Sequence, residues 1–143
     1  MTPEQLIAMA RDAAVHAHAP YSRFAVGAAL LLDDGSVVTG TNFENASYGL
    51  SLCAETVALA KANCDGNLRK VVEIAVIGGV PNGAAIVRPC GRCRQMLNEA
   101  AQLSGRDITI YCSSGDASAM ETHRLSELLP YAFGPADLDF NFT

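Results

Sequence analysis

Two apolar runs flank Asp34-Gly35 in the stretch "FAVGAALLLDDGSVVTGTNF", and that arrangement leaves the chain few ways to fold. Asp-Gly is a favoured pair for a type I′ turn, so residues 24–32 and 36–42 are expected to pair as an antiparallel hairpin with both strands well buried. Ahead of it, Thr2-Pro3-Glu4-Gln5 reads as a helix start, with Thr2 as N-cap, Pro3 at the first helical position and Gln5 closing a capping box. Leu6, Met9, Ala10, Ala13 and Ala17 then share one face until Pro20 ends the helix. After a polar loop from Asn42 to Gly49, "LCAETVALAKAN" is alanine-rich and helical to about Asn63, where Asp65-Gly66-Asn67 breaks it. "VVEIAVIGG" reads as a buried strand and "PCGRCRQMLNEAAQ" as a helix with Pro89 at its first position. "DITIYCS" is a further strand and "LSELLP" a short helix.

The predicted order, α, β-β, α, β, α, β, α, implies an α/β fold. Its sheet is mixed because a hairpin precedes the alternating units, and helices cover its faces. The 143 residues suffice for one core. No repeat, linker or low-complexity segment interrupts them, so residues 1–143 are read as one domain.

Charge and composition exclude several functions. The formal net charge is −5 and no Lys/Arg run occurs, which disfavours a polynucleotide ligand. No stretch approaches the roughly 18 apolar residues of a membrane span, and the N-terminus lacks a signal-peptide core, so a cytoplasmic protein is expected. In that compartment the five cysteines, at 53, 64, 90, 93 and 112, read as metal-binding, catalytic or buried thiols rather than disulfides. A chain that is 50% apolar and 17% charged is expected to cover some apolar surface with other subunits.

The C-x-x-C of "PCGRCRQ" (89–95) is compatible with a redox pair, half of a structural zinc site or part of a catalytic metal site. Cys53 opens one predicted helix, while Cys90 and Cys93 occupy the first turn of another. Helix N-termini stabilise thiolates, and helices after neighbouring strands present those ends on one side of an α/β sheet. Three sulfurs suit zinc and leave its fourth position to water. Glu55, two residues after Cys53, is then placed to face that position and act as base and then acid. A closed structural site remains the alternative, with its fourth ligand drawn from Cys64, Cys112, His16, His18 or His123. Otherwise Cys64 and Cys112 read as small core hydrophobes and the histidines as solvated.

"CAE" at 53–55 together with "PCGRCRQ" resembles the cytidine deaminase family, whose zinc chemistry uses this constellation. "APYSRFAVGAALL" (19–31), "GTNFENASY" (40–48) and "LLPYAFGPADL" (128–138) extend the resemblance over nearly the whole chain. They point to the small homotetrameric three-cysteine members that act on free nucleosides. The resemblance implies a three-layer cytidine deaminase-like α/β fold, a mixed β-sheet with helices on both faces. It implies one Zn²⁺ per chain held by Cys53, Cys90 and Cys93, with zinc-bound hydroxide attacking the amino-bearing carbon of cytosine and Glu55 shuttling protons. Cytidine and 2′-deoxycytidine would become uridine and 2′-deoxyuridine plus ammonia, in pyrimidine salvage. Asn42 and Glu44 match the ribose-binding pair, Phe24 the aromatic beside the nucleoside, and Ala54 the backbone that binds the base edge. Tyr48 and Phe133 match residues that complete the site across subunits.

One departure falls beside the site. Many three-cysteine members carry arginine where this chain has Thr56, and three thiolates on Zn²⁺ leave a formal −1 to be offset. Arg92 and Arg94 are the candidates for electrostatic support, Arg92 standing where alanine is common. Arg88 replaces a small hydroxyl residue before the proline. Read without the resemblance, Asn42 and Glu44 are loop stabilisers and Phe24 and Phe133 core residues. The competing functions are deamination of another cytosine nucleoside such as a blasticidin-like antibiotic, editing of polynucleotide, and a non-catalytic zinc-stabilised binding module. An intact Glu55 disfavours the last.

Overall fold

The computed structural model describes residues 1–140. Among them lie α1 (Pro3–Ala14), β1 (Ala25–Leu32), β2 (Val37–Thr41), α2 (Ala54–Cys64), β3 (Val71–Val80), α3 (Gly91–Ser104), β4 (Thr109–Ser114), β5 (Met120–Arg124) and α4 (Leu125–Leu128). The sheet runs in the order β2-β1-β3-β4-β5. Only β3 and β4 pair in parallel, and α3 lies within the crossover that such a pair requires. The remaining neighbours are antiparallel, so the sheet is mixed.

Strand alternation sorts the side chains into two cores. Ala28, Leu30, Ile74, Val76, Ile110 and Cys112 face α2 and α3, packing on Ala54, Ala58, Leu59, Leu97 and Ala100. Ala29, Ala75, Ile77 and Tyr111 face the other way, onto Leu6, Ile7 and Ala10 of α1. The sheet is therefore a middle layer, as in the expected three-layer fold, and the small residues in it let the helices approach closely. A Cβ on Gly27 would lie 1.9 Å from the Ala10 carbonyl oxygen, and one on Gly40 2.5 Å from the Ala54 carbonyl oxygen. Gly40 thus seats the first turn of α2, which carries Ala54 and Glu55, directly on β2. Because the obstacle at Gly27 is helix backbone, Gly27→Ala should displace α1, destabilise the protein by about 1–3 kcal/mol and lower Tm by roughly 3–10 °C. Gly49→Ala, whose Cβ meets nothing within 4 Å, is the control expected to leave Tm unchanged in the same calorimetric scan.

Several local expectations give way to tertiary structure. The α1 capping box forms through Thr2 and Gln5, but the helix stops at Ala14 rather than running on toward Pro20. The chain turns there, and the His18 N–H bonds the Asn42 carbonyl. The buried face is Leu6, Ile7, Ala10 and Ala14, with Met9 36% exposed. The hairpin turn is not type I′. Gly35 is the only loop residue with positive φ, +86°, and Asp33 to Gly35 form a three-residue loop closed by the Leu32 N–H on the Ser36 carbonyl. Asp34 accepts from the Ser36 N–H and hydroxyl instead. β2 is an edge strand and only partly buried.

β5 is a strand the sequence does not announce. "METHR" lies at the other edge, alternating exposed and half-buried residues, and carries no apolar run. Pro89 precedes the α3 N-cap, which is Cys90. Cys64 is exposed at the end of α2 rather than buried, whereas Cys112 is a core thiol. Burial pushes the Cys112 thiol up to about 11, which keeps it protonated and inert. His123 is half-buried and bonded to Glu121 at 2.8 Å. No helix among the described residues is long and apolar enough to cross a membrane.

Candidate active site

α2 and α3 present their N-termini to each other on the same face of the sheet. Cys53 is the N-cap of α2 and Cys90 the N-cap of α3, and neither side chain caps its own helix. Freed from capping, the sulfurs turn toward one another. Cys53 Sγ and Cys90 Sγ are 3.7 Å apart, and with Cys93 Sγ all three lie within 4.8 Å. Zinc–sulfur bonds of about 2.3 Å in tetrahedral geometry separate two sulfurs by about 3.8 Å, so the observed spacing fits this ion, as does a soft all-thiol donor set. Among the described residues this is the single such cluster of three or more ligating side chains. None of the histidines, nor Cys64 or Cys112, belongs to it.

The surroundings act unequally on Cys53 and Cys93. The Cys93 hydrogen bond, opposed by burial and assisted by Cys90 and the Arg92 charge, lowers the Cys53 thiol to about 6. Cys93 moves upward, because it donates to Cys53 and is buried. Arg92 lies beside Cys53, and its Nη1 donates to the Ser51 carbonyl at 3.3 Å. Arg94 is committed to backbone: Nε to the Pro89 carbonyl at 2.7 Å and Nη1 to that of Leu128 at 2.9 Å. It thereby holds the segment entering Cys90 against the end of α4.

Glu55, the second residue of α2, is 4% exposed. Burial pushes its carboxyl up to about 7, with the Cys53 charge adding to the shift. A carboxyl poised near neutrality serves as acid and base.

Cys53, Cys90 and Glu55 open onto one cavity of about 460 Å³, lined also by Phe24, Asn42, Glu44 and Ala54, with Val26, Val87 and Arg88. Its volume is that of a small-molecule site. The Asn42 carboxamide is buried and spans the start of β1, accepting from the Val26 N–H at 3.0 Å and donating to the Phe24 carbonyl at 2.8 Å. One amide hydrogen remains for a ligand. Glu44 accepts from the N–H groups of Tyr21 and Ser22 at 3.1 Å and from the Ser22 hydroxyl. The Ser22 hydroxyl bond, foremost among its partners, holds its carboxyl below the usual range. Arg88 points its guanidinium at Glu121, forming bonds of 2.9 and 2.7 Å.

Two residues singled out by sequence stand elsewhere in the single chain. Tyr48 is 74% exposed and lines a neighbouring recess with Tyr21, Ser22, Glu44 and Ser51. Phe133 is 60% exposed, beside Gln95, Glu99 and Leu138. Sequence reading missed the part of Ser22 and, though it marks Thr56 as a departure beside the site, the partner of that residue. Ser22 positions Glu44, and Thr56 bonds Cys93 across the helix contact. The signal for the second was the spacing: Thr56 follows Cys53 by three residues as Cys93 follows Cys90.

Residues 1–105 match the family described as "Cytidine and deoxycytidylate deaminase zinc-binding region". The chain is 46% identical over 139 residues to a cytidine deaminase of Halalkalibacterium halodurans, covering 97% of this chain and 99% of that protein. It is 45% identical over 129 residues to a cytidine deaminase of Mycobacterium tuberculosis, covering 90% and 87%. The crystal structure of cytidine deaminase from Burkholderia pseudomallei superposes with a TM-score of 0.84 at 39% identity, covering 93% of this chain and 100% of that one. A three-thiol cluster at two facing helix ends, with a buried carboxyl beside it, is thus found in a chain whose sequence and fold both agree with the same relatives over nearly their full length, and the chain belongs to the cytidine deaminase family.

Proposed function

We propose that this chain hydrolyses cytidine and 2′-deoxycytidine to uridine and 2′-deoxyuridine plus ammonia, with zinc as cofactor, in pyrimidine salvage. The observation that carries this reading is that the buried Glu55 carboxyl and the sulfurs of Cys53 and Cys90 line one nucleoside-sized cavity. Cys53, Cys90 and Cys93 hold the ion, which when bound supplies the Lewis acidity that activates water. Glu55 takes a proton from the water and delivers it to the ring nitrogen beside the amino-bearing carbon, then passes a second proton to the departing ammonia. The reaction balances as nucleoside plus water giving deaminated nucleoside plus ammonia. The Ala54 backbone receives the base edge, Phe24 packs against the nucleoside, and Asn42 and Glu44 bind the ribose hydroxyls. Arg92 offsets the thiolate charge, and Arg94 keeps Pro89 and hence Cys90 in place.

The working form is a homotetramer in the cytoplasm. Exposed Tyr48, Leu50, Phe133 and Phe140 support association with other subunits, since apolar side chains on that scale favour burial by neighbours. Gln95 and Asn98 pin the Phe133 carbonyl at 2.8 and 3.1 Å, presenting this residue for a partner's site. Phe133→Ala should raise KM for cytidine roughly 5–100-fold, the worth of one stacked aromatic, or dissociate the tetramer in light scattering. Unchanged KM and unchanged mass together would rule out the cross-subunit role.

Substrate class is tested by comparing kcat/KM for cytidine, 2′-deoxycytidine, a blasticidin-like antibiotic and cytosine in single-stranded RNA. The two free nucleosides should lead. Preference for the antibiotic or the RNA would refute the assignment while leaving deaminase chemistry intact.

A further inference from the structure

Thr56 is the third residue of α2 and Cys93 the third residue of α3, and the two meet where the helix ends face each other. Thr56 is 8% exposed and Cys93 fully buried, and Thr56 Oγ1 lies 3.3 Å from Cys93 Sγ. A helical threonine commonly turns its hydroxyl back to the carbonyl of the preceding turn. Here the hydroxyl is bonded across to a sulfur of the other helix. Cys93 is the most buried of the three thiols, so water is least able to stabilise it as an anion. Arg92 lies beside Cys53 and has its Nη1 on the Ser51 carbonyl.

We infer that Thr56 is a positioning residue for the metal: its hydroxyl donates a hydrogen bond to the Cys93 thiolate, orienting the sulfur and withdrawing part of the charge it places on the ion. The inference rests on the reading of Cys53, Cys90 and Cys93 as zinc ligands. Groups that hold metal ligands in this way set affinity as well as orientation. A neutral donor suffices here because the sulfur is already dry, and a hydrogen bond to an ionised partner strengthens as water is excluded.

The test uses Thr56→Val, which keeps the shape and removes the donor, and Thr56→Ser, which keeps the donor and removes the methyl group. Zinc affinity is read by competition with a chromophoric chelator. The sulfur is read by the thiolate-to-metal charge-transfer absorption of the cobalt(II)-substituted protein. Val should weaken zinc binding about 10–100-fold and move the absorption to longer wavelength, as a thiolate that loses a donor gives up its electrons more readily. Ser should stay within about 3-fold of the parent, with its absorption in place. The reverse order, Val tolerated and Ser impaired, marks Thr56 as a packing residue and overturns the inference, as does a Val variant with parental affinity and absorption. An unmodified protein that retains no zinc would overturn the zinc-site reading and this inference together. A parent with one zinc per chain but no cytidine turnover would refute only the substrate, because neither readout here depends on activity.

Discussion

Glu55→Gln should bind zinc and cytidine as the unmodified protein does, yet turn cytidine over at least about 10²–10⁴-fold more slowly, the usual contribution of a positioned proton carrier. Glutamine matches the side chain in shape, so Ala54 and Cys53 need not move. It cannot accept and release a proton. The same change should leave Tm equal to that of the unmodified protein or raise it, because Glu55 is 4% exposed and its burial already works against the charged form. Stability and activity therefore move in opposite directions, which separates a catalytic carboxyl from a structural one. Loss of kcat with unchanged nucleoside affinity, read by steady-state kinetics beside equilibrium binding, is the expected pattern. Turnover within a few-fold of the parent would remove Glu55 from the mechanism.

Cys90→Ser should abolish zinc retention and lower turnover at least about 100-fold without unfolding the protein. Cys90 is the α3 N-cap and makes no side-chain cap bond. Serine is a preferred N-cap, able to accept from a first-turn N–H and stabilise the helix by about 1 kcal/mol relative to a non-capping residue. Its hydroxyl is a poor substitute for thiolate on zinc. The metal-free variant should hence melt no lower than metal-free parent while its metal content falls. Cys93→Ser should lose zinc too, but with a lower metal-free Tm, since Cys93 is fully buried and a hydroxyl there sits in a dry contact. Equal melting losses in the two variants would contradict the distinction between a ligand at an exposed helix cap and one inside the core.

Much of this site was legible because its parts sit at positions with local signals. Cysteines at helix starts, C-x-x-C spacing and the Thr2 capping box are features of short stretches, and each appears close to where the residues place it, α3 starting after Cys90 rather than at Pro89. Features decided between distant segments were less legible. Asp34 gives its oxygen to Ser36, so the hairpin turns through Gly35 alone rather than through an Asp-Gly pair. β5 is a strand because β4 offers an edge, and "METHR" shows no apolar alternation of its own. Cys64 reads as core by type but falls on the outer side of the last turn of α2. Thr56 stands out in the sequence only as a departure beside Glu55, and its partner is visible only once α3 brings Cys93 to it. Phe24, Asn42 and Glu44 carry no distinctive pattern of their own and are legible only through the longer blocks that resemble the family, and the folded chain gathers them around the cavity.

Stripping the protein of metal and returning zinc stepwise, while following cytidine conversion by ultraviolet absorbance, tests zinc-dependent deamination of cytidine by this chain most directly. Turnover should be absent in the metal-free protein, rise in proportion to added zinc and stop rising at one equivalent per chain. Full turnover without zinc, or one tightly held zinc with no conversion of cytidine or 2′-deoxycytidine, would contradict it.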